Sequence, residues 1–217
     1  LTGLPVVVEN DANAAGWAEY RFGAATRAAH MLMVTVGTGL GGAVVLDGQL
    51  VRGSAGFAGE IAHVTAVPDG QWCGCGRRGC LEQYTAGTAL VRTAKRRAAT
   101  GDPLMSPLLQ AAGGSKREID GPLITRLAQQ GDPGSQELIA EIGTWLGRGL
   151  ASIASLLDPE VFVVGGGVAE AGDLLLGPAR EAYAANLTAR THRPLAPFVV
   201  AGMGNRAGIV GAADLAR

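Results

Sequence analysis

Three cysteines and a histidine stand at His63-x9-Cys73-x-Cys75-x4-Cys80, and no other cysteine occurs in the chain. Three thiolates and an imidazole are a common tetrahedral zinc donor set, and Gly74, Gly76 and Gly79 let a short loop fold around one ion. Reduced structural thiols would be scattered through a core, whereas these sit in a Gly/Arg-rich loop. The C-x-C pair is also not the C-x-x-C of a redox site. Because the protein supplies all four donors, the metal shell is closed and holds no activated water, which makes the zinc structural. Glu60 precedes His63 by three residues and Glu82 follows Cys80 by two. Folding around the metal is therefore expected to bring two carboxylates near one point, where they could hold a hydroxyl-rich ligand through charge-assisted hydrogen bonds.

Two glycine-rich stretches suit a different ligand. "GTGLGG" at Gly37–Gly42 separates two β-rich runs and has more glycines than a hairpin needs, although a plain tight turn is the competing reading. Its exposed N–H groups, with the Thr38 hydroxyl, suit phosphate oxygens. "GGGV" at 165–168 follows a buried strand and offers a second backbone approach, the alternative being a simple strand exit. Asp11 ends the run "VVVEND" at the start of an alanine-rich helix; taken alone, it reads as a cap.

The elements that must position these groups alternate. Pro5–Glu9 reads as a short strand, followed by a helix with Asn10 or Asp11 available as its cap. His30–Val36 and Ala43–Leu46 are strands, and Asp47-Gly48 turns the chain into a hairpin. Helical spacing covers Thr88–Ala99, and Arg96–Lys116 is loop-like. Two helices come next, the second from about Ser135 to Leu157, where Asp158-Pro159 stops it. "EVFVV" is a buried strand, Leu174–Thr188 a helix, "FVVAG" the last strand and Gly208–Leu215 the closing helix. This is an α/β pattern.

Composition narrows the function further. The 217 residues are 47% hydrophobic and 17% charged, with 34 glycines and a net charge of −1. With no block of like charge, no nucleic-acid or membrane surface is expected. No apolar stretch approaches the ~20 residues of a membrane span. An odd, clustered set of cysteines without a signal peptide points to a reducing cytoplasm. The start at Leu1, running at once into a strand, reads as a cut through a longer protein. His30, His192, Arg96-Arg97 and Lys116-Arg117 read as structural or solvated, and Trp72 as packing beside the metal loop.

In this order, "ENDANAAG", "GTGLGGAVV", "GEIAH", "CGCGRRGCLEQY" and "VVGGGV" resemble the ROK family of sugar kinases and sugar-responsive repressors, in particular its actinobacterial, ATP-dependent, glucose-phosphorylating members. The resemblance implies an actin-like, ribonuclease-H-type α/β kinase fold in two lobes, of which this chain is mainly the larger. Residues 1–14 would end the small lobe, 15–206 form the large lobe with its zinc loop, and 207–217 return to the small lobe. It implies Asp11 as the general base on the sugar 6-hydroxyl and Asn10, Asp11, Glu60, His63 and Glu82 as hexose ligands. Gly37, Thr38, Gly39, Gly165, Gly166 and Gly167 would receive Mg-ATP, and His63, Cys73, Cys75 and Cys80 the structural zinc. Assembly as a homodimer or homotetramer is implied as well.

The chain departs from the family pattern at several points. The family's first phosphate loop, Asp-x-Gly-Gly-Thr, is absent, so this stretch alone is expected not to turn over ATP. Ala62 replaces a common glycine, and "TAG" at 85–87 replaces "ASG", which leaves glucose against another hexose open. ATP against polyphosphate as donor is open too. The rival reading is the sugar-sensing domain of a ROK repressor.

Overall fold

Met31, Leu32, Met33, Val34 and Val36 are all buried along one strand, which requires that both of its faces be covered. The computed structural model describes Gly3 and residues 6–217. Its sheet has five strands: β1 (Met31–Val36), β2 (Leu40–Leu46), β3 (Gln49–Leu50), β4 (Val161–Gly165) and β5 (Phe198–Val200). They lie in the order β3-β2-β1-β4-β5. β1, β2 and β3 form an antiparallel meander. β4 joins β1 in parallel, Met31 opposite Val161, and β5 joins β4. Asp47 and Gly48 both take positive φ at the β2–β3 turn, as a two-residue hairpin with matching twist demands.

The pleat sorts side chains to two cores. Leu32, Val34 and Val36 join Val44, Phe162 and Val164 beneath one helical layer. Met31 and Met33 join Ala43, Val45, Val161 and Val163 beneath the other. The first layer holds α2 (Glu82–Thr85), α3 (Gly87–Ala99), α4 (Ser106–Ala111), α5 (Gly121–Gln129), α6 (Pro133–Leu157) and α7 (Asp173–Asn186). The second holds α1 (Asp11–Phe22) and α8 (Ala207–Leu215). Small residues let helices meet closely, since a Cβ at Gly143 or Gly147 of α6 would collide with the Leu175 or Ala179 carbonyl of α7. Trp17 Nε1 of α1 donates to Asp214 Oδ2 of α8 at 2.9 Å. Glu19 of α1, fully buried, accepts from the N–H groups of Ala24, Gly202 and Met203 at 2.8, 3.1 and 2.7 Å.

Several expectations change. Pro5 lies outside the described residues, and 6–10 form no strand; Val6 and Val8 are 79% and 91% exposed, with no ladder partner among the described residues. Of the stretch Gly37–Gly42, only Gly37–Gly39 turns, while Leu40–Gly42 lie in β2. There a Cβ on Gly42 would sit 2.5 Å from the Gly59 carbonyl, so those glycines serve close backbone packing. The loop-like 96–116 region contains α4, because Pro103 and Pro107 sit in first turns, where a missing N–H costs nothing. Arg97 is no solvated side chain: it pairs with Asp102 at 2.6 Å and Glu137 at 3.2 Å.

Candidate active site

Asn10 caps α1, its Oδ1 accepting from the N–H groups of Ala12 and Asn13 at 2.9 and 3.1 Å. That puts Asp11 at the first helical position, exposed, with one oxygen taken by the Ala12 N–H at 2.8 Å. Asp11 lines a cleft of about 650 Å3 whose wall also includes Gly37, Gly39, Gly41 and Gly165–Gly167. The strand tips of β1 and β4 supply this wall, and Gly166 can take its place only as glycine. Its φ is +91°, and a Cβ would lie 2.5 Å from the Val36 carbonyl.

A second cleft of about 1100 Å3 includes Gly37, Gly167 and Glu170, residues that also line the first, so the two meet at the glycine turn. Thr38 lines this second cleft, with Thr88, Val91 and Lys95 of α3 and Pro122 and Arg126 of α5. Its wall is held by backbone: Gly87 N–H donates to Gly37 O at 2.8 Å and Thr88 N–H to Thr38 O at 3.3 Å. None of these α3 and α5 residues is a site candidate by sequence. They carry no local signal and reach the glycine turn only through the fold.

The cysteine loop folds as expected of a metal knot. His63 Nδ1 lies 3.6 Å from Cys73 Sγ, Cys75 Sγ lies 3.6 Å from Cys80 Sγ, and all four donor atoms fall within 4.8 Å of one another. Zinc bond lengths of about 2.3 Å to sulfur and about 2.0 Å to nitrogen put tetrahedral donors about 3.5–3.8 Å apart, so this set fits a zinc ion. Burial, with the neighbouring thiols of Cys75 and Cys73, pushes Cys80 up to about 12. Cys75 moves the other way, chiefly because the Arg77 N–H bonds its sulfur. Gly79 closes the knot at φ +75°, where a Cβ would run into the Val67 carbonyl. Trp72 stands beside the loop, 65% exposed, with the Arg78 guanidinium 4.2 Å from its ring centre.

Both carboxylates lie against the knot. Glu60 Oε2 is 3.8 Å from His63 Nε2, the ring nitrogen turned away from Cys73. Glu82 Oε1 accepts from Cys73 Sγ at 3.7 Å, and its Oε2 reaches the Leu40 N–H at 3.5 Å, so Glu82 spans from knot to glycine turn. Asn10, Glu60, His63 and Glu82 do not line the cleft that holds Asp11. His30 is structural, its Nδ1 accepting from the Asp47 N–H at 3.3 Å. Among the described residues, no helix is long and apolar enough to cross a membrane.

An antiparallel meander continued by parallel strands, with glycine turns and an acidic helix start around a shared cleft, defines an actin-like, ribonuclease-H-type phosphotransfer fold. The chain belongs to the ROK family, whose model matches residues 1–217. It is 48% identical to the glucokinase of Streptomyces coelicolor over 99% of this chain and 68% of that protein. A ROK family glucokinase from Streptomyces griseus, solved in complex with glucose and AMPPNP, matches with TM-score 0.92 at 48% identity, over 99% of this chain and 69% of that one. A ROK family transcriptional regulator, a homologue of the E. coli MLC protein, matches with TM-score 0.84 at 30% identity, over 99% of this chain and 52% of that one.

Proposed function

We propose that the protein is an ATP-dependent hexose kinase that phosphorylates glucose at its 6-hydroxyl. The observation that carries this is the placing of Asp11 and the glycine turns 37–39 and 165–167 on one cleft, continuous with a second at Gly37 and Gly167. Phosphoryl transfer needs an aligned nucleophile and neutralised phosphate charge more than covalent chemistry. Asp11, with one oxygen free, takes the hydroxyl proton. Gly37, Thr38, Gly39, Gly165, Gly166 and Gly167 receive the phosphates of Mg-ATP, and the cleft lined by α3 and α5 receives the rest of the nucleotide.

Asn10, Glu60, His63 and Glu82 hold the sugar hydroxyls. Because the Asn10 carbonyl is spent on the helix cap, its amide group donates. His63 Nδ1, Cys73, Cys75 and Cys80 would hold a zinc ion, which supplies a fixed, closed crosslink and no chemistry of its own. With Nδ1 so held, Nε2 is left on the Glu60 side for the sugar. Residues 1–14 and 207–217 belong with a small lobe and 15–206 with the large one. A cytoplasmic homodimer or homotetramer fits the same reading.

The likeness to a transcriptional regulator keeps a sugar-sensing role as the second reading, but a sensor needs neither a base nor a phosphate turn. In the full-length protein, Asp11→Asn is expected to lower kcat by about 10²–10⁴-fold while glucose affinity holds. Phosphorylation of a hexose panel together with glucose calorimetry measures both. Full activity of the variant would remove Asp11 from the chemistry, and sugar binding without any phosphorylation by the parent protein would favour the sensor.

A further inference from the structure

Glu9 and Arg52 form an ion pair to which the phosphotransfer reading gives no role. Arg52 Nε donates to Glu9 Oε2 at 2.7 Å, across 43 residues of sequence. Glu9 Oε1 accepts from Asn13 Nδ2 at 3.0 Å and from the Asn10 N–H at 3.1 Å. The Glu9 side chain is only 10% exposed. Burial pushes its pKa upward, but the hydrogen bonds from Asn13, Arg52 and the Asn10 backbone outweigh it and hold the group below its ordinary value. Among the described residues, the Arg52 guanidinium has no other partner.

The two ends of this pair belong to different parts of the site. Glu9 sits directly before Asn10 and Asp11, and its Oε1 grips the first turn of α1. Arg52 comes just after β3 and is the root of a loop closed by Ala58 N–H on Arg52 O at 3.0 Å. The chain then passes Gly59, packed on Gly42, to Glu60 and His63. Among the described residues, the Asp11 side chain bonds only the adjacent Ala12 N–H, and the ion pair of Glu60 is with His63 on its own turn. Neither carboxylate side chain ties one segment to the other; the Glu9–Arg52 pair does.

We propose that Glu9 and Arg52 are positioning residues that fix the acidic turn bearing Asp11 against the 52–60 segment bearing Glu60, so that a hexose held by Glu60 and His63 presents its hydroxyl to Asp11 at reacting distance. This rests on the kinase reading. A displacement of about 1 Å between reacting groups can cost about 10²-fold in rate, so one well-formed tie between the two segments is worth having. Arginine suits the task because its planar head loses little freedom on bonding a carboxylate.

The test is steady-state kinetics on glucose and Mg-ATP with the full-length protein carrying Arg52→Met, Glu9→Gln, both together, or Arg52→Lys, with Asp11→Asn alongside. Arg52→Met should lower kcat/KM for glucose about 10–100-fold, with the ATP KM within about twofold. The double variant should be no worse than the worse single, and Arg52→Lys should recover part of the loss. If Arg52→Met shifts only the melting temperature and leaves kcat and both KM values alone, the pair is structural and the proposal falls. It falls equally if the ATP and glucose KM values rise together. Full activity of Asp11→Asn would strike instead at the kinase reading, which keeps the two failures apart.

Discussion

Cys80 is fully buried, and with its pKa at about 12 it keeps its proton at neutral pH when no metal is bound. A zinc ion entering the knot would have to displace that proton, so uptake would release acid and weaken as pH falls. Returning zinc to chelated protein in weak buffer should give a measurable proton release. Cys80→Ser should lose bound metal by elemental analysis and melt at a lower temperature; retention of zinc by that variant would rule out the four-donor assignment. The clustering of His63, Cys73, Cys75 and Cys80 was legible in the sequence because they are close in the chain and of unmistakable type. Glu9 was not: in "VVVEND" it reads as the tail of a strand, and its partner lies 43 residues on.

At the scale of elements, the end of α3 is stapled both to the turn after it and to α6. Arg97 pairs with Asp102, whose Oδ1 also accepts the Leu104 N–H at 3.0 Å, and with Glu137 of α6. The Arg97 hydrogen bond first, then that of Leu104, hold Asp102 below its ordinary value of 3.8. A carboxylate with a depressed folded-state pKa adds stability that is complete above the unfolded value and disappears as pH falls through the folded one. Asp102→Asn should therefore melt lower than the parent protein at pH 5–7. The gap should begin to narrow near pH 3.8 and close only once pH has fallen through the lower, folded-state value; a gap that persisted beyond that point would assign the loss to the cap alone. The same region shows how composition misleads. Pro103, Pro107 and Gly113-Gly114 give 96–116 a loop-like composition, yet proline is compatible with a helix's first turn, and the chain uses it there to begin α4.

For the whole molecule, strand and helix types could be read from local pattern, but their arrangement could not. Pairing of Met31 with Val161 and of Phe162 with Phe198 joins distant segments, and no spacing in the chain announces it. For that reason Asp11 and the glycine turns could be named from sequence, while Val91, Lys95 and Arg126, which build the second cleft, could not. Glu19 shows the same dependence in a single side chain. It binds N–H groups of Gly202 and Met203, 183 and 184 residues away, and Ala201 and Gly204 on either side of them line the Asp11 cleft. Glu19→Gln weakens an acceptor that three amides share, at about 1–3 kcal/mol for each N–H left unpaired. Hydrogen–deuterium exchange should quicken at Ala24, Gly202 and Met203 in that variant, and unchanged protection there would show that other contacts carry the load. The rim of the Asp11 cleft beyond the last strand is thus latched from inside the first helix, and loosening that latch would admit solvent behind the cleft wall through a residue that is not itself part of the lining.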